Sequence, residues 1–188
     1  MNPTPKGQAV RAKLLAAAAE LIPELGWGSV STRAVADRAG VAPGLVHYHF
    51  DSMPDLLAQA SVGALAEMVQ GAADELARAG LTEGIRALFV SIDAIADDEP
   101  ANLLFSEAYL AGSRAPQLRN ALGEQLATFR MQLAAWLREH GESEAYAKAV
   151  VIAALVDGLL LHRTLGQPIS GDAIAALVLR MLDRTKET

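Results

Sequence analysis

Apolar residues recur at helical spacing along nearly the whole chain. Val10, Leu14, Ala18, Leu21 and Leu25 form one stripe, which predicts a first helix over residues 8–25 that ends at Gly26. Similar patterns predict eight further helices, over residues 32–39, 43–50, 53–79, 82–97, 101–111, 115–140, 143–166 and 171–185. The pattern therefore predicts an all-α protein of about nine helices.

The junction between the second and third predicted helices is typical of a helix-turn-helix. Ser31 is a candidate N-cap for the second helix, and Gly40 can adopt the positive φ that a tight bend requires. Val41 follows at a position where it can fill the angle between the helices, and Pro43 suits a first helical turn. Helices this short are unstable alone, so we expect the flanking helices to hold them.

The last two predicted helices are unusually apolar. Residues 145–165 are apolar on nearly every side, and Gly158 would allow a second helix to approach closely. Burial against a second subunit in a two-fold dimer explains this pattern, and an intramolecular core is the alternative. The predicted dimer contacts are Leu155, Gly158, Leu159, His162, Leu177 and Met181.

Charge is distributed unevenly along the chain. The net charge is −6, which on average opposes binding to nucleic acid. Residues 1–50, however, hold five basic and three acidic residues, whereas the remainder holds 11 basic and 19 acidic residues. A basic end on an acidic body fits a DNA-facing segment, although an ordinary solvated surface has the same composition.

Composition also excludes several kinds of chemical site and bears on the cellular compartment. The chain has no cysteine, which excludes disulfides, thiolate metal sites and cysteine nucleophiles, and permits a reducing cytoplasm. The apolar run 150–161 is interrupted by Asp157 and Gly158 and is too short to span a bilayer, so we expect no membrane partner. No Walker loop, dinucleotide fingerprint, HExxH or Gly-x-Ser-x-Gly motif occurs, so nothing suggests an enzyme or a cofactor.

Two other groups could suggest metal chemistry. His47 and His49 are two residues apart on a predicted helix, so their rings point away from each other and cannot readily hold one ion. The acidic run at residues 97–99 lies between two helical patterns without partner ligands, which favours a solvated loop. We therefore predict no metal site.

Several features between Leu14 and Leu57 occur together in one known family. They are the apolar first helix ending at Gly26, the run 31–40, the run 44–50, and Ser52 followed by the run 55–57. This combination resembles the tetracycline-repressor (TetR) family of bacterial transcription regulators. The remainder resembles that family in helix count, length and the run 157–159. The resemblance implies a DNA-binding domain over residues 1–52 and an effector-binding and dimerisation domain over residues 53–188.

The resemblance also implies residue roles in DNA binding. Arg33 would approach a base or a phosphate, and Thr32 and Ala42 would lie near phosphates. The third helix would lie in the major groove with Pro43, Gly44, Leu45, His47, Tyr48 and His49. The chain departs from the family pattern at Ala42, where Ser or Thr is common, at His47, where Tyr is usual, and at Met53, where Lys is usual. Losing the lysine should lower the salt dependence by about one phosphate contact.

An effector cavity among the later helices is implied by the same resemblance. The bulky candidates for its lining are Met68, Phe89, Phe105, Tyr109, Phe129, Met131 and Trp136. Tyr109 and Trp136 are the better candidates because each carries a polar tip. From the residues alone, large side chains at helical spacing are more typical of an ordinary core than of a cavity lining.

Together these observations predict a cytoplasmic, homodimeric DNA-binding repressor that reads a palindromic operator and is released by a small-molecule effector. The alternative is an all-helical small-molecule-binding protein or enzyme with a vestigial helix-turn-helix.

Overall fold

The computed structural model describes residues 5–97, 99–164 and 170–183. Within these ranges the chain forms nine α-helices, a short 3₁₀ turn at Trp27–Ser29 and no strand, which confirms the predicted all-α class. The helices are α1 Pro5–Leu25, α2 Thr32–Ala39, α3 Gly44–His49, α4 Met53–Leu76, α5 Leu81–Asp97, α6 Glu99–Arg114, α7 Pro116–Glu139, α8 Ala145–Thr164 and α9 Gly171–Asp183.

Most helix boundaries differ little from the predicted ones, and α2 matches its predicted range. The predicted ends of the last two helices, residues 166 and 185, lie outside the described residues. The predicted acidic loop is shorter than expected, because Asp97 ends α5 and Glu99 begins α6, with Asp98 outside the described residues. Pro100 explains the early start, since proline suits a first helical turn.

The described chain divides into two compact units. The first comprises the chain up to Leu65 together with Leu103–Leu122, and the second comprises Ala66–Asn102 and the chain from Gly123. Helices α4, α6 and α7 contribute residues to both units.

The core of the first unit is built from α1, α2, α3 and the start of α4. Its buried members are Leu14, Ala17, Ala18, Leu21, Ile22, Val30, Val35, Ala36, Val46, Phe50, Leu56, Leu57 and Ala60. Leu25 was expected on the buried stripe of α1, but it is 45% exposed. It lies in the last turn of the helix, where Ile22 is the last residue of α1 in this core.

In the second unit, α9 and α8 both pack against α5. The carboxylate of Asp93 on α5 pairs with the guanidinium of Arg163 on α8. The same carboxylate accepts hydrogen bonds from the backbone N–H of Gly171, at 3.2 and 3.1 Å. A Cβ atom at Gly171 would collide with the carbonyl oxygen of Phe89, so only glycine allows α9 to begin this close to α5.

The structure changes the interpretation of the apolar run at residues 150–161. This run belongs to the 20-residue helix α8, whose segment Ala145–Arg163 has a mean hydropathy of 1.6. By length and composition alone that segment could cross a membrane, so the prediction that the run is too short to do so was wrong. A core helix passes the same test, and one side of α8 is buried in the second unit, including Ala149, Ile152 and Leu160.

Candidate functional site

The turn between α2 and α3 has the geometry that its sequence predicts. The hydroxyl of Ser31 accepts a hydrogen bond from the N–H of Ala34 at 3.2 Å and caps α2. Gly40 has φ +66°, and its N–H donates to the carbonyl of Asp37. The N–H of Val41 donates to the carbonyl of Ala36 at 3.0 Å, which completes a Schellman motif and directs Val41 onto the core.

Helix α3 begins without a side-chain cap. The N–H of Leu45 donates to the carbonyl of Ala42 at 2.9 Å, and the methyl of Ala42 offers no hydrogen bond. Val46 and Phe50 are buried, as predicted, and therefore hold one side of α3 and its end on the core. On the outside, Tyr48 is 75% exposed.

All nine residues predicted to contact DNA lie on α2, on α3 or between them. Six of them are exposed, namely Arg33, Ala42, Pro43, Gly44, His47 and Tyr48. The other three, Thr32, Leu45 and His49, are half-buried. The rings of Tyr48 and His49 meet edge to face with 5.0 Å between centroids. The structure thus brings the predicted residues to one helix-turn-helix, and none of them is buried.

The two arginines of α2 have different surroundings. The side chain of Arg33 is 88% exposed and lies 3.7 Å from the carboxylate of Asp37. Arg38 instead forms ion pairs with Glu24 at 2.6 Å and Glu20 at 3.1 Å, both on α1. Hydrogen bonding from Arg38 lowers the pKa of Glu24 and, in return, raises the pKa of Arg38. Arg33 is therefore the α2 cation that can reach a ligand, whereas Arg38 fastens α2 to α1.

Arg11 on α1 is also held by neighbours. Its guanidinium donates to the side-chain carbonyl of Gln59 on α4 and lies 5.1 Å from the centroid of the Phe50 ring. The amide of Gln59 in turn donates to Asp55 at 2.8 Å. Asp55 also accepts from the N–H of Asp51, in the turn after α3. These contacts tie the end of α3 to α1 and α4.

The residues predicted to bind an effector fall into two groups. In the second unit, Phe89, Phe129 and Trp136 are buried and Met68 is half-buried. In the first unit, the α6 rings of Phe105 and Tyr109 lie 6.2 Å apart, and Tyr109 is 53% exposed. Met131 is 59% exposed.

Trp136 combines tight packing with an unsatisfied polar atom. A Cβ atom at Gly84 would lie 2.5 Å from its Cζ2, so α5 touches the ring closely. Among the described residues, its buried Nε1 has no hydrogen-bond partner, and neither does the buried Oε1 of Gln132 one turn earlier on α7. Gln132 was not among the residues predicted from the sequence, although a glutamine between Phe129 and Leu133 on one helix face was a signal for it.

The predicted dimer residues lie mostly on exposed helix surfaces. One half of the circumference of α8 is exposed or half-buried, and Leu155 and Gly158 lie on it with Val151. His162 is exposed there too, whereas Leu159 is only 6% exposed and packs inside the second unit. On α9, Leu177 is 54% and Met181 37% exposed.

Two family models match the chain. Residues 14–60 match the model of bacterial regulatory proteins of the tetR family, and residues 76–184 match the tetracyclin repressor-like C-terminal domain. The second match alone covers more than half of the chain. Among curated proteins, none matches the sequence.

Solved structures agree with these matches. The chain is 28% identical to SCO7518 from Streptomyces coelicolor A3(2), with a TM-score of 0.77 over 92% of this chain and 98% of that one. It is 27% identical to the transcriptional regulator RHA1_ro04179 from Rhodococcus sp. Rha1, with a TM-score of 0.75 over 93% and 96% of the two chains.

A more distant structure shares the fold. FadR from Bacillus subtilis, solved in complex with stearoyl-CoA, is 20% identical and has a TM-score of 0.72 over 91% of this chain and 96% of that one. The helix-turn-helix geometry and the two matched models together lead to one conclusion: this chain belongs to the tetR family of bacterial regulatory proteins.

Proposed function

We propose that this protein is a homodimeric repressor that binds a palindromic DNA operator and is released from it by a small-molecule effector. The observation that carries this proposal is the well-formed helix-turn-helix with Arg33, His47 and Tyr48 on its exposed surface. An arginine can donate two hydrogen bonds to guanine, and the second helix of a helix-turn-helix, here α3, typically reads base edges in the major groove. Because its target is the chromosome, we place the protein in the bacterial cytoplasm.

Binding to the DNA that flanks its own gene tests this proposal. We expect a salt-sensitive complex, measured by fluorescence anisotropy, that Arg33→Ala weakens by about 10- to 100-fold. Arg78→Ala is the matched control, since it removes the same charge from an exposed position outside the helix-turn-helix. Two results would contradict the proposal: no binding by the wild-type protein, or equal binding by Arg33→Ala. Either result would favour the alternative, an all-helical small-molecule-binding protein or enzyme with a vestigial helix-turn-helix.

The exposed half of α8 supports the dimer. Tyr146, Val150, Val151 and Leu155 are all more than a third exposed, and an apolar surface of this kind is typical of a protein interface. Gly158 has open space around its Cα, which suits close approach of a second helix. A two-fold dimer would present two recognition helices to half-sites about one turn of DNA apart.

Sedimentation of two matched variants tests the dimer. Val151→Glu places a charge on the exposed half of α8, where Val151 is 47% exposed, and we expect it to yield monomers. Val90→Glu makes the same change at a residue of α5 that is 46% exposed, and we expect it to remain dimeric. A wild-type monomer at micromolar concentration would refute the dimer.

The unsatisfied atoms of α7 support effector binding in the second unit. Nε1 of Trp136 can only donate and Oε1 of Gln132 can only accept a hydrogen bond. An effector with an apolar body and a hydroxyl group could satisfy both atoms, because a hydroxyl accepts from Nε1 and donates to Oε1. The stearoyl-CoA complex of FadR shows that a protein of this fold can hold such an amphipathic molecule.

A thermal-shift screen of small amphipathic compounds tests this assignment, because a ligand of the folded state raises its melting temperature. We expect hits to lose most of their effect on Trp136→Phe, which keeps an aromatic ring at this position but removes the Nε1–H donor. The control is Trp27→Phe, which leaves Trp136 as the single tryptophan and also allows binding to be followed by fluorescence. Hits that stabilise both variants equally would contradict the role of Trp136.

A further inference from the structure

A carboxylate on α6 holds the turn between α1 and α2. The backbone N–H of Trp27, at the start of the 3₁₀ turn, donates to Oε2 of Glu107 at 2.9 Å. The two residues are 80 positions apart in the sequence, and both are half-buried. Gly26, immediately before Trp27, has φ +78°, so the chain changes direction where Glu107 binds it.

This contact serves a group that the turn itself leaves unsatisfied. The first N–H groups of a helical segment have no acceptor within that segment. A carboxylate acceptor forms a hydrogen bond about twice as strong as one between neutral groups. The charge of Glu107 therefore fixes a backbone position that would otherwise need water.

A second contact on α6 supports the same docking. Leu104, one helical turn before Glu107, packs against the core of the first unit, as does the Trp27 side chain. Residues three apart on a helix lie on the same side, so α6 meets the α1–α2 turn with one apolar and one charged side chain. The docked part of α6 belongs to the same compact unit as the helix-turn-helix.

The two partners come from different matched segments of the family. Trp27 lies in the segment 14–60 and Glu107 in the segment 76–184. Helix α6 also continues into residues of the second unit, at its start. The hydrogen bond from Trp27 to Glu107 therefore joins the segment that contains the helix-turn-helix to the segment that matches the C-terminal domain.

We propose that Glu107 is a positioning residue for DNA binding: it anchors the α1–α2 turn and thereby sets the placement of α2 and its Arg33. The inference rests on the proposed DNA-binding function. Glu107 acts through the backbone of Trp27 and makes no contact with DNA itself.

Hydrogen exchange at the Trp27 amide tests the anchor without DNA. We expect Glu107→Ala to accelerate exchange of this amide at least tenfold. Glu107→Gln, which retains an acceptor, should restore part of the protection. The exposed Glu139 on α7 supplies the matched control, Glu139→Ala, which should leave the amide unchanged. Preserved protection of Val35 and Ala36, in the buried part of α2, would show that the variants remain folded.

Binding to the flanking DNA then tests the positioning role. We expect Glu107→Ala to weaken binding about 3- to 10-fold and Glu107→Gln to recover most of it. The salt dependence should stay at the wild-type slope, because no phosphate contact is lost, whereas Arg33→Ala should reduce the slope.

The anchor, the positioning role and the proposed DNA-binding function are refuted by different results. Unchanged exchange at Trp27 in Glu107→Ala would overturn the anchor. Faster exchange with unchanged DNA affinity, or a changed salt slope, would overturn the positioning role. Failure of the wild-type protein to bind DNA would refute the proposed function, and the positioning role with it, while the exchange result would still report on the anchor.

Discussion

The ammonium group of Lys148 on α8 lies 2.7 Å from Oε2 of Glu142, and both side chains are almost completely buried. Glu142 belongs to the turn that joins α7 to α8, where Gly141 has φ +80° and the N–H of Glu142 donates to the carbonyl of Leu137. A buried ion pair thus closes a turn whose backbone is already fixed by a Schellman-type bond.

Removing one partner of this pair should be costly, because the other charge stays buried. We expect Lys148→Met to lower the free energy of unfolding by about 3–5 kcal/mol. The double variant Glu142→Leu/Lys148→Met should recover most of that loss, because it removes both charges of the pair together. Urea unfolding of both variants and the wild type measures the difference. A double variant no more stable than Lys148→Met would contradict this account.

The close contact between Gly84 and Trp136 predicts opposite effects for two glycine substitutions. Gly84→Ala should destabilise the protein by about 1–3 kcal/mol, because the new methyl overlaps the indole ring. Gly71→Ala on α4, where no atom lies within 4 Å of the added methyl, should stabilise it by about 0.5–1 kcal/mol through helix propensity. The melting temperatures of the two variants and the wild type test this. If both substitutions stabilise the protein, the indole ring of Trp136 moves aside at little cost in free energy.

Asp157 on α8 predicts a pH dependence of stability. Burial raises the pKa of its carboxyl above the usual 3.8, and nearby Arg130 only partly opposes this. The folded state therefore binds the proton more tightly than the unfolded state. The resulting stabilisation is complete below the unfolded pKa and is lost as the pH rises through the folded pKa.

The substitution Asp157→Asn removes this titration. We expect Asp157→Asn to be more stable relative to the wild type at about pH 7 than at about pH 4. At the higher pH the wild-type carboxyl is ionised and its charge must be buried, whereas the asparagine is neutral at both. Other groups titrate in both proteins, so the difference between their urea unfolding curves isolates Asp157. A difference that does not change with pH would rule out this origin.

The pair of Arg33 and Asp37 predicts a gain in DNA affinity. Both side chains are largely exposed, so their ion pair contributes little to stability. Asp37→Asn frees the guanidinium and removes a negative charge beside the expected phosphates, and we expect about 2- to 10-fold tighter binding to the flanking DNA. The matched variant Glu75→Gln changes an exposed acid on α4 and should have little effect. Weaker binding by Asp37→Asn would indicate that the carboxylate orients Arg33.

Local signals in the sequence determined the helix-turn-helix. The boundaries of α2, the cap by Ser31, the positive φ of Gly40 and the burial of Val46 and Phe50 all follow the prediction. Each depends on residues a few positions apart, because caps, turns and helix faces are decided within one or two turns of the chain.

Tertiary structure decided which side chains are available for function. Only the family resemblance singled out Arg33 over Arg38 from the sequence. The ion pairs that occupy Arg38 could not be foreseen, because the acids that hold it lie 14 and 18 residues away on another helix. Nor could the sequence separate exposed Leu155 from buried Leu159, since α8 is apolar on nearly all sides and only its neighbours determine which half is covered. The anchor of Trp27 by Glu107 depends on a contact across 80 residues, and no pattern within either segment indicates it.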